Sequence, residues 1–267
     1  MPAKPAPSRP RRRFGQHFLV DPGAVRRIVE AVGPRQGPPV LEIGPGRGAL
    51  TGPLLAAFGR VIAVEIDRDL AASLRARFPQ ESLALLEGDV LDVSLAEVAG
   101  GPLRLVGNLP YNVSKPVAAK LVRERAAVAG AVLMFQREVA GRLTALPGSR
   151  IYGPLTVLVG EAFRVERLFD LPPEAFRPAP EVRSTVTRWT PRADAFASVS
   201  ESGLSAVLRT GFAQRRRTLL NNVQRALGRG PAETLLAEAG IDGGLRAEVV
   251  PPEGWRRLGA LWQERGA

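Results

Sequence analysis

Three groups of residues in this chain have the types and spacing to do chemistry. In "LEIGPGRGALT", Gly44, Gly46 and Gly48 stand two apart, after an apolar run and before a helical one. Glycines placed there let the backbone turn tightly and approach a ligand closely. Glu65 closes the next apolar run, where a carboxylate can accept hydrogen bonds from both hydroxyls of an adenosine ribose. Asp89, in "EGDV", closes a third run and suits either a ligand contact or a helix cap. Asn108–Tyr111, "NLPY", closes a fourth. There an amide oxygen and a backbone carbonyl stiffened by Pro110 can accept the two hydrogens of an amine. The Tyr111 ring can stack on a flat heterocycle.

Other chemistries are excluded by composition. There is no cysteine, so disulfides, thiolate catalysis and cysteine-ligated metals are ruled out. His17 is the only histidine, which speaks against a multi-histidine metal site or a Ser–His–Asp triad, and no metal is expected. No apolar run approaches the roughly 20 residues that cross a bilayer. The basic start "MPAKPAPSRPRRRF" has no apolar stretch behind it and does not read as a secretory signal. The expected location is the cytoplasm.

The elements that must position these residues follow a repeating pattern. Asp21 reads as an N-cap, with Pro22 opening a helix to about Val32. The segments 39–44, 60–67, 83–90, 103–110 and 131–136 read as strands, with helical stretches between them. Such alternation indicates β-α-β units and a mostly parallel sheet. "AFRVERLFDL" and "STVTRWTP" read as a hairpin-like pair at the sheet edge. After a linker at 190–200 the chain turns helical, punctuated by Gly228, Gly230 and Gly243–Gly244.

The formal net charge is +11, and 34 of the 37 basic residues are arginine. Arginine forks onto phosphate and stacks on bases, and this surplus points to a polyanionic partner. The charge is concentrated in an N-terminal arm and in "QRRRTLL", where Arg215, Arg216 and Arg217 are read as the start of a helix. Helix N-termini and arginine forks both bind phosphate.

The G-x-G-x-G spacing, with Glu42 before it and Pro45 within it, resembles motif I of S-adenosylmethionine-dependent methyltransferases. "NLPY" resembles the [ND]-[PIL]-P-[YF] motif of amino methyltransferases acting on adenine N6, cytosine N4 or glutamine. Together with "GQHFLVD", "NLPYNVSKP", "MFQREVAGRL", "YGPLTVL", "FRPAPEVRSTV" and "GFAQRRRTLLNN", the chain resembles the small-subunit ribosomal RNA adenine-N6,N6 dimethyltransferases over about residues 11–265.

That resemblance implies a Rossmann-like class I methyltransferase domain with a mostly parallel seven-stranded sheet, one strand antiparallel, and a small C-terminal all-helical domain. The expected boundaries are a basic arm at 1–14, the methyltransferase domain at 15–190 and an RNA-contacting domain at 195–267. It implies S-adenosyl-L-methionine as cofactor, with His17 and Leu19 at the methionine end and Gly44 and Gly46 under it. Glu65 takes the ribose, Asp89 and Val90 the adenine, and Asn108 spans cofactor and target amine. Leu109 and Pro110 hold the second acceptor, and Phe176 faces Tyr111 across a flipped base. Arg11, Arg12, Arg13, Arg215, Arg216 and Arg217 are assigned to RNA.

The implied reaction is N6,N6-dimethylation of two adjacent adenosines in the 3′-terminal hairpin of 16S rRNA, within a maturing 30S subunit, by a monomer. Two departures from the family pattern stand out. Position 17 is asparagine in many relatives, and Arg183 stands where an acidic residue is common. The alternatives are a large-subunit rRNA adenine dimethyltransferase, an adenine-N6 DNA methyltransferase and a non-enzymatic ribosome-assembly factor. "FRPAPEVRS" and "RRRTLLNN" favour the small-subunit family.

Overall fold

The computed structural model describes residues 17–265. The strands are β1 (Phe18–Leu19), β2 (Val40–Ile43), β3 (Val61–Glu65), β4 (Leu83–Glu87), β5 (Leu103–Asn108), β6 (Val128–Gln136), β7 (Phe163–Leu171), β8 (Phe176–Arg177) and β9 (Ser184–Pro191). Seven of them form one sheet in the order β4-β3-β2-β5-β6-β9-β7. β4, β3, β2, β5 and β6 run parallel, and β9 is antiparallel to β6. The expected mostly parallel, seven-stranded sheet is therefore present, with the β7 and β9 segments side by side at its edge.

The sequence dictates this arrangement. All four residues of β2 are buried, as a strand covered on both faces requires. The connecting helices are α1 (Pro22–Val32), α2 (Thr51–Phe58), α3 (Arg68–Arg77), α4 (Leu95–Ala99) and α5 (Ser114–Arg123). Asp21 caps α1, accepting from the amides of Gly23 and Ala24, with Pro22 in the first turn. One core joins α1 and α2 to the sheet through Ile28, Leu54, Val106 and Val132. β1 and β8 form a separate antiparallel ribbon, pairing Leu19 with Phe176.

The chain divides into two compact units. One runs from residue 17 through Ala140 and resumes at Glu166–Pro191, and the other is Gly141–Val165 together with the chain from Arg192. The sequence reading kept residues 141–165 with the sheet, but they group with the helices instead. The second unit contains α7 (Pro154–Ala162), α8 (Glu201–Gly211), α9 (Leu219–Leu227), α10 (Arg229–Glu238) and α11 (Pro252–Glu264), after α6 (Arg137–Leu143) crosses the division. Its core includes Val157 of α7 with Leu204, Val223, Leu235 and Trp255.

One local reading is corrected. Arg215–Arg217 do not begin a helix. They lie in the turn before it, and Thr218 is the N-cap of α9, its hydroxyl accepting from the Asn221 amide. A threonine can accept an end-of-helix N–H, which an arginine cannot.

Candidate functional site

A cleft of about 310 Å³ opens at the carboxyl ends of β2, β3, β4 and β5, where ligands sit in open parallel sheets. Each strand delivers one of the predicted groups. After β2 the backbone turns through Gly44 (φ 64°) and Gly46 (φ 58°). Side-chain-bearing residues rarely adopt that region. A Cβ on Gly44 would meet nothing within 4 Å, which leaves a backbone-floored opening, whereas one on Gly46 would stand 3.1 Å from the Phe18 ring.

Glu65 ends β3. Its Oε2 accepts from the Gly46 amide at 2.8 Å and its Oε1 from the Asp67 amide at 2.9 Å. Each oxygen keeps a second lone pair for an incoming hydroxyl. Burial holds this carboxyl above its ordinary range, against those two amide bonds. Beneath it, Glu42 is almost fully buried and accepts from the Thr51 hydroxyl at 2.7 Å. Burial pushes its carboxyl up to about 8, and the neighbouring Glu65 adds to the rise. After β4, Asp89 Oδ1 accepts from the Leu91 amide at 2.9 Å, while Oδ2 has no partner among the described residues. Val90 lies beside it, buried on the cleft wall.

β5 delivers Asn108, whose Nδ2 donates to the carbonyl of His17 at 2.9 Å. That bond fixes the amide and leaves Oδ1 as its acceptor toward the cleft. The Leu109 side chain is buried and its amide donates to the carbonyl of Met134. The carbonyl of Pro110 already accepts from Ser114 Oγ and the Val113 amide. The carbonyl of Leu109 has no partner among the described residues, so it is the second acceptor available to an amine. The Tyr111 ring stacks on His17 with centroids 5.3 Å apart, and its hydroxyl meets Ser184 Oγ at 3.4 Å. Burial raises the phenol. His17 Nδ1–H donates to the carbonyl of Pro178 at 2.8 Å, linking the front of the cleft to the "FRPAPEVRS" segment.

The cleft thus gathers His17, Leu19, Gly44, Gly46, Glu65, Asp89, Val90 and Asn108–Tyr111. Phe176 is not brought with them. Its side chain is 1% exposed, packed in the core with Leu19, Leu171 and Ala175. The cross-strand pairing of β8 with β1 turns it inward, so in this arrangement it offers no face to a base. Arg11, Arg12 and Arg13 lie outside the described residues. Arg215 is a brace, donating to the carbonyls of Arg150 and Tyr152 and pairing with Glu248. Arg216 and Arg217 are exposed, and their side chains have no partner among the described residues. No cluster of His, Asp and Glu among the described residues could hold a metal, and no described helix is long and apolar enough to cross a membrane.

Sequence reasoning missed two contributors. A Cβ on Gly107 would stand 2.7 Å from the carbonyl oxygen of Ile43, so only glycine lets β5 lie against β2 at the site. A lone glycine inside a strand run was the available signal. Ser184, within "FRPAPEVRS", holds the Tyr111 hydroxyl.

The donor set fits S-adenosylmethionine: carboxylates at the ends of β3 and β4, an open glycine floor and apolar walls from Leu19 and Val90. Sheet order and site define a class I methyltransferase. A family model described as ribosomal RNA adenine dimethylase matches residues 8–263. "Ribosomal RNA small subunit methyltransferase A" of Aromatoleum aromaticum is 46% identical over 241 residues, covering 90% of this chain and 89% of that protein. Its namesake from Bordetella petrii is 44% identical over 258 residues, covering 96% and 97%. Among solved structures, a dimethyladenosine transferase from Plasmodium falciparum superposes with TM-score 0.83 at 25% identity, covering 94% of this chain and 98% of that one. The 23S rRNA methyltransferase ErmE superposes at 0.71 and 27% identity, covering 92% and 99%. The chain belongs to the ribosomal RNA adenine dimethylase family. It is an S-adenosyl-L-methionine-dependent rRNA adenine dimethyltransferase.

Proposed function

We propose that this enzyme dimethylates N6 of two adjacent adenosines in the 3′-terminal hairpin of 16S rRNA, acting as a cytoplasmic monomer on a maturing 30S subunit. The observation that carries the chemistry is the pinned amide of Asn108, bonded through Nδ2 to His17. An exocyclic adenine amine is a poor nucleophile because its lone pair is delocalised into the ring. Asn108 Oδ1 and the Leu109 carbonyl accept its two hydrogens, favour a pyramidal nitrogen and aim the lone pair into the cleft. Tyr111 stacks on the base. S-adenosylmethionine, when bound, supplies an electrophilic methyl group. Glu65 is placed for its ribose hydroxyls, Asp89 Oδ2 for its adenine amine, and the Gly44–Gly46 backbone lies under it. Positioning and electrostatics supply most of the rate. No strong base is required, because an ammonium product on adenine is very acidic.

The small-subunit acceptor is supported by relatives bearing that name over nine-tenths of the chain. RNA affinity is assigned to the arm with Arg11–Arg13, to Arg216 and Arg217, and to Arg215 in so far as its brace shapes that turn. The likeness to ErmE favours a second reading, methylation of 23S rRNA. Radiolabelled methyl transfer to unmethylated 30S subunits, 50S subunits and duplex DNA separates them. N6,N6-dimethyladenosine in 30S alone is the expected result. Label in 50S alone moves the chain to the second reading. Cofactor binding without transfer to any acceptor leaves an assembly factor.

A further inference from the structure

We propose that Arg137 and Arg183 form a phosphate clamp at the mouth of the cleft, holding the RNA backbone beside the adenosine that enters it. The proposal rests on the rRNA reading above and adds to it a positioning element that none of the assigned site residues supplies.

The placement follows from strand register. Asn108 at the end of β5 is opposite Met134 of β6, and Gln136 of β6 is opposite Ser184 of β9. Arg137 follows Gln136 and Arg183 precedes Ser184. The Arg137 amide donates to the Arg183 carbonyl at 2.9 Å, which fixes the two residues side by side. They lie beyond the same sheet end as Asn108, three residues further along, Arg137 one strand away and Arg183 two. A rise of about 3.3 Å per residue and a strand spacing of about 4.8 Å put their backbones roughly 11 Å and roughly 14 Å from it, within reach of long side chains. Ser184, the next residue after Arg183, holds the Tyr111 hydroxyl. The pair is therefore tied to the base-stacking ring by a continuous run of contacts.

Neither guanidinium is held by a close ion pair among the described residues. Arg183 is exposed and has no charged partner among the described residues. The Arg137 side chain is 59% exposed and reaches Asp170 only at 3.6 Å. Asp170 already accepts from Thr185 at 2.6 Å and Arg167 at 3.3 Å, and these bonds hold its carboxyl below the ordinary range. Arg137 and Arg167 thus share one carboxylate, and Glu138 and Glu181 are exposed sequence neighbours of the pair. Guanidinium groups bind phosphate through two parallel N–H bonds, which fixes orientation as well as charge. A nucleotide whose base has left its stack needs its backbone held, and phosphate contacts set register without reading sequence.

The test uses the full-length enzyme and unmethylated 30S subunits. Binding is measured across a salt series for wild type, Arg137→Ala, Arg183→Ala, Arg183→Glu and Arg183→Lys, with steady-state transfer and cofactor affinity alongside. Removing one arginine–phosphate bond should shallow the log–log salt slope by about 0.7–0.9. Either alanine variant should raise KM for the subunit by about tenfold, with the effect falling on KM rather than kcat and cofactor affinity unchanged. Arg183→Glu should be worse than alanine, and Arg183→Lys should recover the slope but not all of KM. The backbone bond between the two residues survives every substitution, so a purely structural role predicts unchanged slopes. Wild-type slopes in both alanine variants, with wild-type methylation intact, overturn the clamp alone. Failure of the wild type to bind 30S overturns the clamp and the rRNA reading together.

Discussion

Asn108 Nδ2 donates to the carbonyl oxygen of His17 across 2.9 Å, tying the end of β5 to the residue that precedes β1. The bond commits the donor half of the amide to the protein and reserves the acceptor half for substrate. Asn108→Ala removes both halves. Methyl transfer to 30S subunits should fall by at least about 100-fold, the scale of losing one preorganised polar group, while subunit affinity stays largely intact. Filter binding beside single-turnover transfer checks this, and an equal fall in both would count against the assigned role.

Phe176 offers a sharper choice. As a core residue, its replacement by alanine should cost about 3–5 kcal/mol of stability. Phe176→Leu should keep most of the packing and leave transfer within a few-fold of wild type. If the leucine variant melts normally yet loses transfer by orders of magnitude, the ring does leave the core to stack on a base.

Glu42 should make stability depend on pH. Its carboxyl is pushed up to about 8 in the fold, against 4.5 ordinarily. A raised acid is protonated in the native state where the unfolded chain has already ionised. The stability it contributes is fully present below about pH 4.5 and is lost as pH rises through 8, at up to about 1.4 kcal/mol per pH unit. Glu42→Gln removes this dependence. In urea unfolding, the variant should gain on wild type by a few kcal/mol between pH 5 and pH 8, and a constant gap would refute the assignment.

Gly107→Ala should destabilise by about 1–3 kcal/mol, because the new methyl meets the Ile43 carbonyl and backbone cannot rotate away. Gly130→Ala is the matched control, since its Cβ would make only an ordinary contact, 3.5 Å from the Trp189 carbonyl. Calorimetry should show a lower melting temperature for the first and little change for the second.

The parallel strands were legible because both their faces are buried. Runs such as "VIAV" in β3 are apolar throughout, and the chemistry sits where each run ends, at Glu65, Asp89 and Asn108. β6 was read three residues short, because Val128–Gly130 carries little side chain to mark it. The grouping of residues 141–165 was invisible, since sequence order hides which helices share a core. Phe176 is assigned to a flipped base by the resemblance alone, and an aromatic beside prolines can equally be packing; only the β1–β8 ribbon shows it turned inward. Arg215 belongs to a run of three identical residues, and only the carbonyls of Arg150 and Tyr152 distinguish it from Arg216 and Arg217.

The interleaving of the two units also sets an order of events during synthesis. α7 leaves the ribosome roughly 90–100 residues before α11, which at about 5–20 residues per second is a delay on the order of 5–20 s. For that interval Val157 and Tyr152 lack Trp255 and the other late partners of their core, and the Tyr152 hydroxyl lacks the Val250 carbonyl it will bond. β7 and β9 emerge within the same interval and can close the sheet first. The nascent enzyme would then hold a finished cleft while one helix still waits, apolar face bare, for the end of its own chain.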